Sequence, residues 1–301
     1  MSFLFIGWLL IGCENPERSE IGTEKPTASG MRILSASPNP LASSTVIKLQ
    51  PTLTPTKTEL MPTPSAQPCH ETSGTIDQQT FLSETLSEEL AATVYLPPCF
   101  NAGENILYPL LILLHGQNGD RNQWAQFGML ALADEWINAG KISAIIIVMP
   151  EERQKYSDST SVPYDQALVE DLLPALMARY PILPGREARA LGGISRGANW
   201  AMQIAFQYPQ AFGKVAMHSP TTFQGGAQPT QAWLNMDPAQ LPQLWVDIGE
   251  TDENRKYSQP WIDAFQTAGI PLDFSTSPGR HTDSYWTAHI GDYLTWYTAG
   301  W

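Results

Sequence analysis

Ser195 lies at the centre of a Gly-x-Ser-x-Gly motif formed by residues 193–197. The apolar run before it, residues 188–194, has no helical period and predicts a buried strand. Residues 198–208 repeat bulky apolar side chains every four positions and predict a helix. A serine on the sharp turn between such a strand and helix exposes its hydroxyl beside the partial positive charge of the helix start. The motif therefore predicts a nucleophilic serine, and the alternative is a turn without chemistry.

Two loops further along the chain can supply the groups that activate Ser195. A serine hydroxyl becomes a good nucleophile when an imidazole accepts its proton and a carboxylate orients that imidazole. Apolar, strand-like runs end shortly before Asp252 and His281. We expect Asp252 to be the acid and His281 the base, in the chain order that is typical of an α/β-hydrolase. Glu250 is the alternative acid.

The chain has five histidines, and the other four suit the role of base less well. His70 lies near the start of the domain, and His289 falls inside the last predicted helix. His218 precedes the acid along the chain, whereas His115 lies in the loop that should stabilise negative charge.

The negative charge that develops on the attacked carbonyl needs two backbone N–H donors, which form an oxyanion hole. One donor is expected from Arg196, directly after the nucleophile. The other is expected from Gln117, in the loop that begins with His115 and Gly116, although that pair could simply turn the chain. No cluster of His, Cys or carboxylates has the spacing of metal ligands, so we expect neither a metal nor a cofactor.

Strand-like and helical segments alternate from residue 81 onward, with helices predicted over residues 124–139 and 164–180. This alternation predicts an α/β fold with a mostly parallel sheet that helices cover on both faces. Active sites of such sheets lie beyond the carboxyl ends of the strands. Because Ser195, Asp252 and His281 each follow a strand-like run, we expect them to meet at that edge.

The first 13 residues resemble a bacterial export signal. Residues 3–11 are apolar and would extend about 14 Å as a helix, too short for a hydrocarbon core of about 30 Å. Residues 10–13, Leu-Ile-Gly-Cys, are similar to a lipobox, in which the cysteine is acylated. We expect an exported bacterial cell-surface lipoprotein anchored at Cys13, or a secreted protein. The alternative is a short buried apolar segment.

Residues 14–68 predict a disordered tether, because they contain 15 Ser or Thr, nine Pro and no aromatic residue. Residues 69–301 then form the catalytic domain. If Cys13 carries lipid, Cys69 and Cys99 remain as an even pair, and we expect them to form a disulfide in an export setting.

The net charge of −13 lies on the domain, because residues 1–68 hold five acidic and five basic side chains. An acidic domain repels nucleic acid and anionic membrane surfaces. We therefore expect no nucleic acid partner, and contact with a membrane only through a lipid at Cys13.

Four motifs in this order resemble the esterase D family of serine esterases. They are the Leu-Leu-His-Gly run at 113–116, the motif at 193–197, the Gly-Glu-Thr-Asp loop at 249–252, and the His281 loop with Trp286 beyond it. The family includes feruloyl and acetyl xylan esterases, S-formylglutathione hydrolases, enterochelin esterases and mycolyltransferases. The likeness covers about residues 80–301. In relatives the histidine loop often reads Gly-Gly-His, whereas here Arg280 precedes His281.

The resemblance implies an α/β-hydrolase fold and hydrolysis of an ester through an acyl-enzyme. It places Ser195, Asp252 and His281 in the triad, and Gln117 and Arg196 in the oxyanion hole. The family is broad, so the resemblance does not identify the substrate.

Two segments that follow strands, residues 151–163 and 221–241, are expected at the rim of the site. Trp233 and Met236 in the second segment are predicted to contact the substrate, and the alternative is ordinary packing under a long loop. The leading hypothesis is a serine esterase for small-molecule or carbohydrate-linked esters. Its rivals are an acyltransferase or peptidase on the same fold, and a non-catalytic surface lipoprotein that binds glycans or partners.

Overall fold

The computed structural model describes residues 69–103, 106–154, 157, 161–221 and 231–301. The predicted export signal with Cys13 and the predicted tether lie outside these residues. Among the helices that are described, none combines the length and the apolar character needed to cross a bilayer.

A central sheet of eight strands positions the rest of the domain. The strands are β1 (Thr75–Ser83), β2 (Glu88–Leu96), β3 (Leu110–Leu114), β4 (Ile146–Pro150), β5 (Arg189–Ile194), β6 (Lys214–His218), β7 (Gln243–Gly249) and β8 (Asp273–Ser277). Their order across the sheet is β1-β2-β4-β3-β5-β6-β7-β8. β2 runs antiparallel to both β1 and β4, and the remaining neighbours are parallel.

Helices follow most of the parallel strands. They are α1 (Gln123–Gln126), α2 (Met129–Asn138), α3 (Tyr164–Gln166), α4 (Leu173–Arg179), α5 (Arg196–Gln207), α6 (Gln231–Leu234), α7 (Arg255–Thr267) and α8 (Asp283–Thr298). A π-helical segment, Ala167–Leu172, joins α3 to α4, and two short 3₁₀ turns span Arg186–Ala188 and Pro238–Gln240.

β3 and β4 are apolar throughout because helices cover both faces of the sheet. Along β3, Leu110, Ile112 and Leu114 belong to one hydrophobic cluster, and Leu111 and Leu113 belong to a second. The first cluster includes side chains of α3, α4, α5 and α7, and the second includes side chains of α1, α2 and α8. The predicted α/β fold with a mostly parallel, doubly covered sheet is confirmed.

Two of the predicted helices are interrupted. The helix expected over residues 124–139 is divided into α1 and α2 by Gly128, whose φ of +92° is left-handed. The helix expected over residues 164–180 contains the π-helical segment just before Pro174. Proline lacks an N–H and its ring clashes with the carbonyl four residues earlier, so a wider turn at this point relieves the clash.

Cys69 and Cys99 form a disulfide with their Cα atoms 5.7 Å apart, which confirms the predicted pairing. The bridge ties the first described residue to the turn that follows β2. The two cysteines are 30 residues apart in the chain. For a closed loop of this length the chain-entropy model gives roughly 3 to 4 kcal/mol of stabilisation of the folded state. The start of the domain is thereby held against the antiparallel edge of the sheet.

Candidate active site

Ser195 occupies the turn between β5 and α5 with a strained backbone. Its φ of +53° and ψ of −114° lie in a region that non-glycine residues rarely adopt. The N–H of Ser195 donates a hydrogen bond of 2.9 Å to the carbonyl of His218 at the end of β6. This bond to the neighbouring strand holds the serine in the strained turn that the motif predicts.

The two glycines of the motif are required by close packing of backbone. A Cβ atom on Gly193 would collide with the carbonyl of Gly197. A Cβ atom on Gly197 would lie 2.6 Å from the carbonyl oxygen of Leu114 and 2.7 Å from that of His115. The start of α5 can therefore lie directly against β5 because Gly193 lacks a side chain, and against the end of β3 because Gly197 does.

The structure brings the three predicted triad residues together. His281 Nε2 lies 2.9 Å from Ser195 Oγ, and His281 Nδ1 lies 2.9 Å from Asp252 Oδ2. The other oxygen of Asp252 accepts a hydrogen bond from the backbone N–H of Asn254 at 2.8 Å. The Asp252 side chain is fully buried, whereas His281 is partly exposed. This geometry suits an imidazole that donates to the carboxylate and accepts from the serine hydroxyl.

The alternative acid and the alternative bases are placed elsewhere. Glu250 is exposed and Asp252 contacts His281, so the geometry favours Asp252. His115 and His218 are buried and bind other groups, and His289 lies on α8 near Asp292. His70 is exposed at the beginning of the described residues.

The loop after β3 lies beside the nucleophile. A Cβ atom placed on Gly116 would be 3.6 Å from the Cβ of Ser195. His115 holds this loop in place through two contacts. Its Nε2 accepts a hydrogen bond from the backbone N–H of Glu152 at 2.9 Å, and its Nδ1 lies 2.7 Å from the carbonyl oxygen of Gly116. Nδ1 must then carry the proton. Because the peptide bond between Gly116 and Gln117 is trans, the N–H of Gln117 points in the opposite direction from the carbonyl that His115 holds.

These contacts define how the predicted oxyanion hole would be built. Gln117 is held through the carbonyl before it, and Arg196 is the first residue of α5, where backbone N–H groups point out of the helix start. The roles of the Gln117 and Arg196 amides stay predictions. Within the described ranges, no group of three or more His, Cys, Asp or Glu residues could hold a metal ion.

Comparison with known proteins assigns the family. A family model named Esterase, whose description reads "Putative esterase", matches residues 83–297 and so covers most of the chain. The chain belongs to the Esterase family.

Two curated proteins are similar in sequence to this Esterase-family protein. The endo-1,4-beta-xylanase/feruloyl esterase of Xylanibacter ruminicola is 27% identical over 233 residues, which cover 74% of this chain and 30% of that protein. Esterase Rv1288 of Mycobacterium tuberculosis is 29% identical over 207 residues, 60% of this chain and 44% of that protein. The chain thus spans less than half the length of these two relatives.

Solved structures show the fold of the family member. A ferulic acid esterase superposes with a TM-score of 0.66 at 24% identity, covering 76% of this chain and 98% of that one. An S-formylglutathione hydrolase from Staphylococcus aureus superposes with a TM-score of 0.61 at 18% identity, covering 75% and 99%. The predicted α/β-hydrolase fold is confirmed.

Glu152 is a residue of the site that was not predicted from the sequence of this Esterase-family protein. The Arg196 side chain forms a buried ion pair with Glu152, in which Nε lies 2.9 Å from both carboxylate oxygens. The guanidinium also lies 5.5 Å from the centre of the Trp200 ring. The available signal was a charged residue directly after the predicted nucleophile, since an arginine that becomes buried requires a carboxylate partner.

Trp233, which was predicted to contact the substrate, is buried in the structure. Its side chain is buried and stacks on Phe206, with ring centroids 5.1 Å apart, so the alternative of ordinary packing describes its placement. Met236 is partly buried against the same cluster, and a contact between Met236 and substrate stays a prediction. Residues 222–230 of the same segment lie outside the described residues.

Replacing Gln123 with methionine is expected to lower kcat about ten- to hundredfold in this Esterase-family protein. Gln123 Oε1 accepts the N–H of Gly116 at 2.9 Å, so its loss leaves a buried donor unpaired and shifts the loop that carries Gln117. Complete removal of an oxyanion donor costs about 10² to 10³, which sets the upper limit. Steady-state rates on p-nitrophenyl acetate measure the effect.

The matched control is Gln126→Met, the same change at an exposed position of the same helix. It should leave kcat unchanged. Equal rates for the two variants would contradict a role of Gln123 in holding the loop.

Proposed function

We propose that this protein is a serine carboxylic ester hydrolase with Ser195, His281 and Asp252 as its catalytic triad. The observation that carries the proposal is the continuous line of contacts from Ser195 Oγ through the imidazole to the carboxylate, 2.9 Å at each step. Membership in the Esterase family supports the same reaction class. The line lies beyond the carboxyl ends of β5, β7 and β8, where active sites of such sheets occur.

Acylation follows from this geometry. Ser195 Oγ attacks the ester carbonyl while His281 Nε2 accepts its proton, and Asp252 stabilises the imidazolium that forms. The carbonyl oxygen becomes negatively charged and is stabilised by the backbone N–H groups of Arg196 and Gln117. His281 then gives the proton to the departing alcohol, which leaves an acyl group on Ser195.

Deacylation repeats these steps with water in place of the serine. His281 accepts a proton from the water as it attacks the acyl-enzyme, and the proton returns to Ser195 Oγ when the acid leaves. The buried Asp252, held by both His281 and the N–H of Asn254, keeps the imidazole in one orientation through both halves of the reaction.

We propose esters linked to carbohydrate as the substrate class. The support comes from relatives: one is named an endo-1,4-beta-xylanase/feruloyl esterase, and several structurally similar proteins are ferulic acid esterases. A panel of acetyl, feruloyl and longer acyl esters, on both simple alcohols and sugars, tests this proposal. Hydrolysis of esters of simple alcohols, without hydrolysis of the matching sugar esters, would contradict carbohydrate-linked esters as the substrate class.

The same assay separates the rival functions. Release of free acid in the presence of an added alcohol identifies a hydrolase, whereas formation of a new ester identifies an acyltransferase. Cleavage of amides in preference to esters identifies a peptidase. Absence of both turnover and fluorophosphonate labelling at Ser195 would leave a non-catalytic binding protein.

We also propose that the protein is exported and anchored to the membrane by a lipid at Cys13. The disulfide between Cys69 and Cys99 supports an oxidising compartment, where such bridges persist. When cells that express the full chain are grown with an alkyne-tagged palmitate, the protein should become labelled. The Cys13→Ser variant should carry no label. Cys69→Ser is the matched control and should keep it; equal labelling of wild type and Cys13→Ser would contradict the anchor.

A further inference from the structure

A buried polar cluster lies directly behind the triad and takes no part in the proposed reaction. Asp247 at the end of β7 accepts the hydroxyls of Tyr285 and Tyr293, each at 3.0 Å from the same carboxylate oxygen. Its other oxygen pairs with Nδ1 of His218, and Nε2 of His218 lies 2.7 Å from the Tyr297 hydroxyl. We call these five residues the Asp247 cluster.

All five side chains of the Asp247 cluster are buried. A buried carboxylate is costly unless it is paired and hydrogen-bonded, and Asp247 has three partners. Burial, reinforced by the nearby Asp247 carboxylate, raises the pKa of Tyr285 and Tyr293 well above the ordinary value. Both phenols therefore keep their protons and act as donors, which makes the cluster a fixed anchor point.

The Asp247 cluster contacts both sides of the triad. On one side, the backbone carbonyl of His218 accepts the N–H of Ser195. On the other, the ring of Tyr285 packs against Gly279, where an added Cβ would lie 3.0 Å from ring atom Cε2. Gly279 lies two residues before His281. The ring of Tyr285 leaves no room for a side chain at position 279.

Gly279 joins the loops of the acid and the base. Its carbonyl accepts both the backbone N–H of Thr251, at 3.0 Å, and the Thr251 hydroxyl, at 2.8 Å. Thr251 is the residue before Asp252, and Gly279 lies two residues before His281, so the position of Gly279 affects both groups. The ring of Tyr285 is the side chain that packs on this junction.

The first turn of α8 makes a second contact with the base. Trp286 meets the His281 ring edge-on, with centroids 5.0 Å apart, and its indole N–H donates to Ser219 Oγ at 3.1 Å. Because Tyr285 and Trp286 are adjacent, anything that moves the first turn of α8 moves both contacts.

We propose that Tyr285 is a positioning residue, which fixes the first turn of α8 on Asp247 and thereby places His281 between Ser195 and Asp252. The inference rests on the proposed function. Tyr293 supplies the comparison within the same cluster, because it donates to the same oxygen of Asp247 but stacks on His218, with centroids 3.7 Å apart, two helical turns further along α8.

The test compares Tyr285→Phe with Tyr293→Phe in the full chain. Each change removes one hydroxyl from Asp247 and keeps the ring, so both should lower the melting temperature by similar amounts. Tyr285→Phe is expected to lower kcat on p-nitrophenyl acetate about tenfold or more, because small misplacement of catalytic groups is costly, with KM nearly unchanged. Tyr293→Phe should keep kcat within about twofold of wild type.

Titration with a fluorophosphonate counts the functional sites, so kcat is expressed per labelled site even if a variant is partly unfolded. The rate of labelling should fall with kcat in Tyr285→Phe alone. Equal kcat values and equal labelling rates for the two variants would overturn the inference while leaving the esterase intact. A wild-type protein that neither hydrolyses esters nor reacts with the fluorophosphonate would overturn the proposed function and, with it, the inference.

Discussion

Ser195→Ala is expected to lower kcat on p-nitrophenyl acetate by about 10⁶-fold, the typical cost of losing the nucleophile of a serine triad. Without Oγ there is no acyl-enzyme, and His281 Nε2 loses the group that it contacts at 2.9 Å. The residual rate would come from the oxyanion donors and from binding alone. Initial rates and covalent labelling by a fluorophosphonate measure the loss.

The matched control for this change is Ser87→Ala in the turn between β1 and β2. Ser87 has a φ of +54°, close to the +53° of Ser195, and it lies outside the site. Both variants therefore test removal of a hydroxyl at a strained backbone position, and only Ser195→Ala should lose activity. Retention of activity and labelling in Ser195→Ala would show that another residue is the nucleophile.

If Asp252 is the acid of the proposed triad, Asp252→Asn is expected to lower kcat by about 10⁴-fold, the typical cost of this change in a serine triad. The asparagine amide can present a donor to His281 Nδ1, which favours the tautomer whose Nε2 carries the proton. That nitrogen can then no longer accept the proton of Ser195. Initial rates of p-nitrophenyl acetate hydrolysis by wild type and Asp252→Asn, measured side by side in the same buffer, give the size of the effect.

Glu250→Gln is the control for the acid, because Glu250 is exposed and lies two residues before Asp252. Its activity should match wild type. If Glu250→Gln were the more damaging change, the role of acid would pass to Glu250, and the contact between Asp252 and His281 at 2.9 Å would be structural.

The meeting of Ser195, Asp252 and His281 could be predicted from the sequence because the signals that mark each residue are local. Ser195 is marked by two glycines and by the change from an apolar run to a helical period. Asp252 and His281 each follow an apolar run, and parallel strands bring their carboxyl ends to one edge of the sheet. The fold class and the meeting of these three residues therefore needed no knowledge of which strands are neighbours.

The partners of buried charges could not be predicted in this way, because they depend on strand order. Glu152 follows β4 and Arg196 follows β5, two strands that lie on either side of β3 in the sheet. His218 and Asp247 face each other because β6 pairs with β7 in that register. Trp233 shows a different limit, since an aromatic residue in a long segment has the same composition whether it packs on Phe206 or faces solvent.

The ion pair between Arg196 and Glu152 couples two positions that are 44 residues apart. Replacement of either residue alone leaves a buried charge without its partner, which typically lowers the stability of the fold by about 3 to 5 kcal/mol. Joint replacement of both by apolar residues of similar volume is often tolerated. Mutant libraries that diversify the position after the nucleophile should therefore vary both codons together. In an alignment of descendants of this chain, the two columns are expected to change as a unit.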